Sequence, residues 1–217
     1  MRLPLPSDHA FAGGPVYPRP KNLISALVMT RSIPEALLMC SVWKQFTRSS
    51  IVGRGVKFGL NARLINLSGR ERVWIGKNAL IRGILRNELG GGIEIGEDVY
   101  IGDQALISVA AFLTIGDGTL LAHGVQVFDN DTHPVCAKER TRHLKMIRGD
   151  EAPGAVEIGK EPVRIASRCW IGMNSLIMKG VNVGEETIVA AGSVVVSDLP
   201  PRVVAAGNPA RVIKNLV

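Results

Sequence analysis

Between residues 163 and 200 the chain reads VRIASRCWIGMNSLIMKGVNVGEETIVAAGSVVVSDLP, and Ile165, Ile171, Ile177, Val183, Val189 and Val195 stand six residues apart. Four places after the first five come Cys169, Ser175, Val181, Thr187 and Ser193. An isolated strand repeats every ~2 residues and a helix every ~3.6. A period of six therefore needs a compound unit, one short strand and one turn, with the aliphatic side chain inward. Such units are stable only when stacked, so that strands of successive coils pair ~4.8 Å apart. Ordinary sandwich strands would show turn signals every ~8 to 12 residues instead. The spacing predicts an all-β solenoid, a parallel β-helix of hexapeptide repeats.

The same phase runs through Ile95, Ile101 and Ile107, restarts at Ile115, Leu121 and Val127, and is weaker at Phe58 and Leu64 and at Ile75 and Ile81. A stacked coil exposes an edge at each end, and both need cover. Upstream, SIPEALLMCSVWKQF reads as a helix: Ser32 and Glu35 have capping-box spacing, and Leu38, Met39, Val42 and Phe46 share a face. KNLISALVMT at 21–30 also reads as helical, and residues 1–20, with five prolines, as an extended arm. Downstream, PARVIKNLV is the candidate cover. The expected division is an arm and helical cap at 1–50, the β-helix at 51–200 and a C-terminal cap at 201–217. Two stretches break the coil. RNELGGG at 86–92 suggests a corner loop or bulge. The second is an excursion loop, 129–155, which begins in VQVFDNDTHPV and carries five basic residues in KERTRHLKMIRGDEAPG. Loops longer than ~12 to 15 residues in a compact domain are usually functional or disordered.

Composition narrows the function classes. Aromatic content is 5% and the net charge is +7, with the basic residues scattered and no stacking platform among them. That argues against nucleic acid and for phosphorylated small ligands. Cys40, Cys136 and Cys169 form no paired spacing, which points away from a disulfide framework or a cysteine zinc site and towards a reducing cytoplasm. No run approaches the ~18 apolar residues of a membrane span. The expectation is a soluble, cytoplasmic protein, able to work beside the inner face of a membrane.

With its hexads, the THPV segment, the long excursion and the ending DLPPRVVAAGNPARVIK, the chain resembles the hexapeptide-repeat acyltransferases over residues 51–217. Within them it is most similar to the maltose and galactoside O-acetyltransferases and to those acting on cell-surface polysaccharides and nodulation factors. The resemblance implies a left-handed coil, a homotrimer with active sites between subunits, acetyl-CoA as co-substrate and no metal. It implies that His133 is the general base. It puts coenzyme contacts at Met173, Ala191, Val196, Ser197, Arg211 and Lys214, with Trp170 packing a corner or shielding the pantetheine. Asp103 falls where the sugar acetyltransferases hold an acceptor-binding asparagine, and Ala111 where they hold an aspartate. Met173, Val196 and Ser197 replace the serine, threonine and lysine common in those enzymes, so a lysine charge is missing.

Acyl transfer from a thioester to a hydroxyl needs a base, and histidine, with an ordinary pKa near ~6.5, suits that task. Such an imidazole works best with one nitrogen held by an acceptor; Asp129, Asp131 or a loop carbonyl are the candidates. A backbone N–H near Met173 is the candidate oxyanion donor. An amino-sugar N-acetyltransferase is the nearest alternative. A zinc hydrolyase of the carbonic anhydrase type would need His123, His133 and His143 to converge on one metal, and their ten-residue spacing does not follow the coil. A third alternative is a trimeric binding module without catalysis.

Overall fold

The computed structural model describes residues 16–22, 25, 32–152 and 154–217. The helix expected at 21–30 lies largely outside them. From Ile51 onward short strands wind through three faces. Two faces are six-stranded parallel sheets and the third is a nine-stranded sheet closed at both ends by antiparallel strands. One coil is Leu113–Ile115, Leu120–Leu121 and Gln126–Phe128, a strand on each face. The fold is the left-handed parallel β-helix of hexapeptide repeats.

Every aliphatic or aromatic position assigned to the hexads points inward. Phe58, Leu64, Ile75, Ile81, Ile95, Ile101, Ile107, Ile115, Leu121, Val127, Ile165, Ile171, Ile177, Val183, Val189 and Val195 are all at most 2% exposed. Stacked residues pair in register, as Ile101, Leu121 and Ile171 do along one face. The positions four places on are buried as well, and their hydroxyls are satisfied by corner carbonyls: Thr119 donates to Ala166 at 2.7 Å and Thr187 to Pro200 at 2.7 Å. Buried hydroxyls need such partners, because an unmet one costs roughly 1 to 3 kcal/mol.

The corners explain why the coil accepts few residue types there. Asn78, Asp98, Gly118, Arg168, Glu186 and Arg202 all take left-handed backbone angles. In that conformation each N–H reaches the carbonyl of the turn one coil below, as Asp98 does to Lys77 at 2.8 Å and Arg168 to Asp117 at 2.8 Å. At Gly76 a Cβ would run into the backbone of Gly96 in the adjoining coil, so close stacking itself demands glycine there.

Helix α1 (Ile33–Ser49) covers the first coil. The Ser32 hydroxyl accepts the Glu35 N–H at 3.4 Å, and Ala36, Met39, Val42, Trp43 and Phe46 are buried. Phe46 stacks on Phe58 with ring centroids 4.1 Å apart, and Trp43 meets the same ring edge-on at 4.6 Å. Leu38, expected on this face, is instead 36% exposed; Trp43 takes its share of the contact, one residue after Val42. Val16–Tyr17 adds an antiparallel strand against Phe58–Gly59. At the other end Val203–Gly207 continues the nine-stranded face and Ala210–Asn215 folds back antiparallel on it.

Candidate active site

The break in the coil begins with anchors. Past Phe128, Asp129 is fully buried and its carboxylate accepts the N–H groups of Ala110 and Ala111, at 2.7 and 2.8 Å, from the coil below. Asn130 accepts the Thr132 N–H through its side-chain oxygen at 2.9 Å. Asp131 receives Lys179 Nζ, from the coil above, at 2.9 Å. That bond is the first cause that holds the Lys179 pKa above the ordinary lysine value, against the opposing effect of burial. Thr132 turns through a left-handed angle, and the His133 N–H donates back to the Asp131 carbonyl at 2.6 Å. His133 is thus an exposed side chain on a backbone pinned from two coils.

The excursion is not a structureless loop. Ala137–Arg148 forms helix α2, in keeping with the good helix formers of AKERTRHLKMIR. Gly149 closes it in a left-handed cap, its N–H on the helix's last carbonyls. None of its residues is buried, so hydrophobic periodicity gave no sign of it. Arg140 Nη1 donates to the carbonyls of Pro134 and Val135 at 3.0 and 2.9 Å, which ties the helix to the His133 segment. The rings of His133 and His143 meet across this junction, Nδ1 to Nδ1 at 3.3 Å. Both line a cleft of about 720 Å³ with Arg86, Glu88, Lys160 and the apolar Ile147.

The other proposed site residues are distributed over the rest of the coil. Asp103, His123, Met173 and Ala191 occupy one position of successive corners: Gly124 N–H reaches the Asp103 carbonyl at 2.9 Å, Asn174 that of His123 at 3.0 Å, and Gly192 that of Met173 at 2.8 Å. Below them Arg82, almost buried, holds Asp103 Oδ2 through Nε at 2.8 Å, and His123 Nδ1 lies 3.6 Å from the same oxygen. Tyr100 packs edge-on against His123, and burial pushes its phenol above the usual value while Arg82 opposes the shift. Trp170 is 53% exposed between Leu120 and Ile188 on the nine-stranded face. Arg211 and Lys214 are exposed on the closing strand. Val196 and Ser197 follow strand Val194–Val195, at the edge from which the excursion leaves two coils below.

This placement settles two local questions. Neither Asp129 nor Asp131 bonds the His133 imidazole; their carboxylates are taken by backbone N–H groups and by Lys179. The three histidines do not converge, since His123 sits with Asp103 at a corner across a whole strand from His133. The cleft at His133 includes none of Asp103, Met173 or Ala191. Sequence reasoning missed the contact of His143 with His133 and the roles of Lys179 and Arg82. No periodic signal marks them, because each acts across coils or from the excursion.

A family model described as bacterial transferase hexapeptide (six repeats) matches residues 162–197. Nodulation protein L of Rhizobium meliloti (strain 1021) is 36% identical over 138 residues, 64% of this chain and 68% of that protein. The chain belongs to the hexapeptide-repeat acyltransferases. A further relative within the family, galactoside O-acetyltransferase of Escherichia coli (strain K12), is 32% identical over 142 residues, 65% of this chain. This chain spans 63% of that enzyme's length. Among solved structures AntD, an N-acyltransferase from Bacillus cereus in complex with dTDP and 3-hydroxybutyryl-CoA, superposes with a TM-score of 0.63 at 19% identity, covering 81% of this chain and 87% of AntD. At that identity the likeness is one of fold.

Proposed function

We propose that this protein transfers an acetyl group from acetyl-CoA to a hydroxyl of a saccharide or cell-surface glycan precursor, by direct attack and with His133 as general base. The observation that carries the reading is the imidazole of His133, exposed at the rim of a rigid coil and lining a cleft wide enough for a sugar. Galactoside O-acetyltransferase among the relatives supports an O-acyl transfer of this kind.

Acetyl-CoA supplies the acyl group as an activated thioester. His133 accepts the acceptor's hydroxyl proton as the oxygen attacks, then returns it to the sulfur as the carbon–sulfur bond breaks, leaving an ester and the free thiol. A positioned base of this kind contributes roughly 10²- to 10⁴-fold. For the coenzyme, the exposed Met173 and Ala191 offer backbone at one corner, and Arg211 and Lys214 offer charge for phosphates. Asp103, its carboxylate held by Arg82, is assigned to the acceptor. His133 and the Met173 corner lie on opposite edges of one face, a separation of roughly 10 Å for a three- to four-residue strand. A site using both is therefore assembled between subunits, and a cyclic homotrimer supplies three such sites.

The test is release of free thiol from acetyl-CoA by the purified protein across a panel of oligosaccharides, nucleotide sugars and amino sugars. Hydroxyl acceptors are expected to drive release and His133→Ala to abolish it while coenzyme binding persists. Turnover confined to amino sugars would replace O- with N-acylation. Full turnover in His133→Ala would sink the mechanism.

A further inference from the structure

A general base needs more than exposure: the nitrogen facing the substrate must carry the lone pair. In a neutral imidazole this happens only when the proton sits on the other nitrogen. Among the described residues, Asp129 and Asp131, the carboxylates beside His133 in the sequence, are engaged elsewhere and do not bond its imidazole. What meets its Nδ1 is the Nδ1 of His143 at 3.3 Å, with the two rings at 63° and their centroids 5.2 Å apart.

Two Nδ1 atoms at this distance share one proton, so one ring donates and the other accepts. We propose that His143 is a positioning residue: neutral, protonated on Nε2, it accepts the Nδ1–H of His133 and so leaves the His133 Nε2 lone pair open to the acceptor hydroxyl. The inference rests on the reading of His133 as base. When His133 takes up a proton, its Nδ1–H becomes a charged donor to a neutral acceptor, a stronger bond than the one it replaces. A proton on the Nδ1 of His143 would instead reverse the bond, with His133 accepting on Nδ1 and its lone pair turned away from the acceptor hydroxyl. Arg86, Glu88, Glu157 and Lys160 line the cleft with the two rings, and Arg140 and Arg142 flank His143 on the helix. The helix that carries His143 has its own fixings: Arg140 on the Pro134 and Val135 carbonyls, and Arg142 on Glu139 and Glu151. An excursion with no buried residue in its helix thus has a purpose in placing one ring.

The test separates this assignment from the activity itself. In the full-length protein with ¹⁵N-labelled histidine, the ring-nitrogen shifts of His133 at neutral pH report its tautomer directly. Wild type is expected to hold the proton on Nδ1. His143→Phe keeps a ring of similar size without an acceptor, and is expected to move His133 towards the Nε2–H form. It is also expected to lower kcat by about ten- to a hundredfold, with KM for acetyl-CoA unchanged. His143→Gln, which restores a carbonyl acceptor, is expected to recover most of that loss. Unfolding midpoints should match wild type in both variants, because position 143 is not in the core. An Nε2–H tautomer for His133 in wild type, or a tautomer indifferent to His143→Phe, overturns the proposal. Absence of acyl transfer in wild type alongside the expected tautomers would overturn the reading of His133 as base, and the NMR result would still establish the pair.

Discussion

Asp129 and Ala110 are joined across two coils: the carboxylate of Asp129, fully buried, accepts the Ala110 N–H at 2.7 Å and the adjacent Ala111 N–H at 2.8 Å. At the point where the chain abandons its six-residue rhythm, the coil below turns through Ala110 and Ala111 between strands Leu106–Val109 and Leu113–Ile115, and Asp129 supplies acceptors for that turn. Asp129→Ala leaves two part-buried donors unmet and is expected to cost about 2 to 4 kcal/mol in urea unfolding. Asp129→Asn, with one acceptor oxygen left, is expected to cost about half as much. Activity per folded molecule should barely change. A selective loss of kcat with normal stability would return Asp129 to the catalytic machinery.

His133 should give the opposite pattern. It is exposed and packs into no core, so His133→Ala is expected to leave thermal unfolding unaltered while kcat falls by roughly 10²- to 10⁴-fold. Equilibrium binding of coenzyme A, measured by calorimetry, should be unchanged. Weakened binding in step with lost turnover would mean that His133 holds the coenzyme instead of the proton.

These two residues mark where the sequence was readable and where it was not. A six-residue period fixes which side chains point inward, and Ile107, Leu121 and Ile171 all do. It fixes equally that VQVFDNDTHPV leaves the wall. It is silent on what lies beside a residue one coil away, because that depends on how many residues the excursion inserts. Asp131 and Lys179 are 48 positions apart and touch only because the coil closes again at Val163. His143 sits on a helix with no buried face, so no periodic pattern marks the helix or places a second imidazole beside His133.

The Asp131–Lys179 pair clasps the excursion to the coil above, and Lys179→Met is expected to expose the excursion to limited proteolysis near Gly149, with the coil intact. The Lys179 pKa is raised, chiefly by its hydrogen bond to Asp131. A raised folded value means that the clasp is fully present below the ordinary lysine pKa and is lost as pH rises through the higher one. Protease resistance of wild type should therefore persist from neutral into mildly alkaline solution and fall only beyond it. A clasp already open at neutral pH would contradict the assignment.

The cysteines provide a check on the coil. Cys169 occupies an inward position at 1% exposure, and burial pushes its thiol above the ordinary value. Cys136 is exposed and Cys40 intermediate. An aromatic disulfide reagent at mildly alkaline pH is expected to titrate Cys136 at once, Cys40 slowly and Cys169 only after unfolding. Because the folded value of Cys169 is raised, its contribution to stability is intact below the ordinary thiol pKa and declines as pH rises through the folded one. Rapid labelling of Cys169 in the native protein would place it outside the core.

The proposal that each site spans two subunits has its own test. In one chain His133 leaves the far edge of a face whose near edge carries Met173 and Ala191, and the cleft at His133 reaches neither. Ala191→Glu is expected to block the coenzyme corner and His133→Ala to remove the base, each inactivating a uniform trimer. If every site takes one edge from each of two neighbours around a ring, an equal mixture refolded together regains about a quarter of wild-type activity, since a random pairing joins the two intact edges that often. If both edges of a site belong to the same chain, every site in the mixture carries one lesion and no activity returns. The two arrangements thus differ between a quarter and nothing, a contrast that the thiol-release assay resolves without knowledge of the natural acceptor.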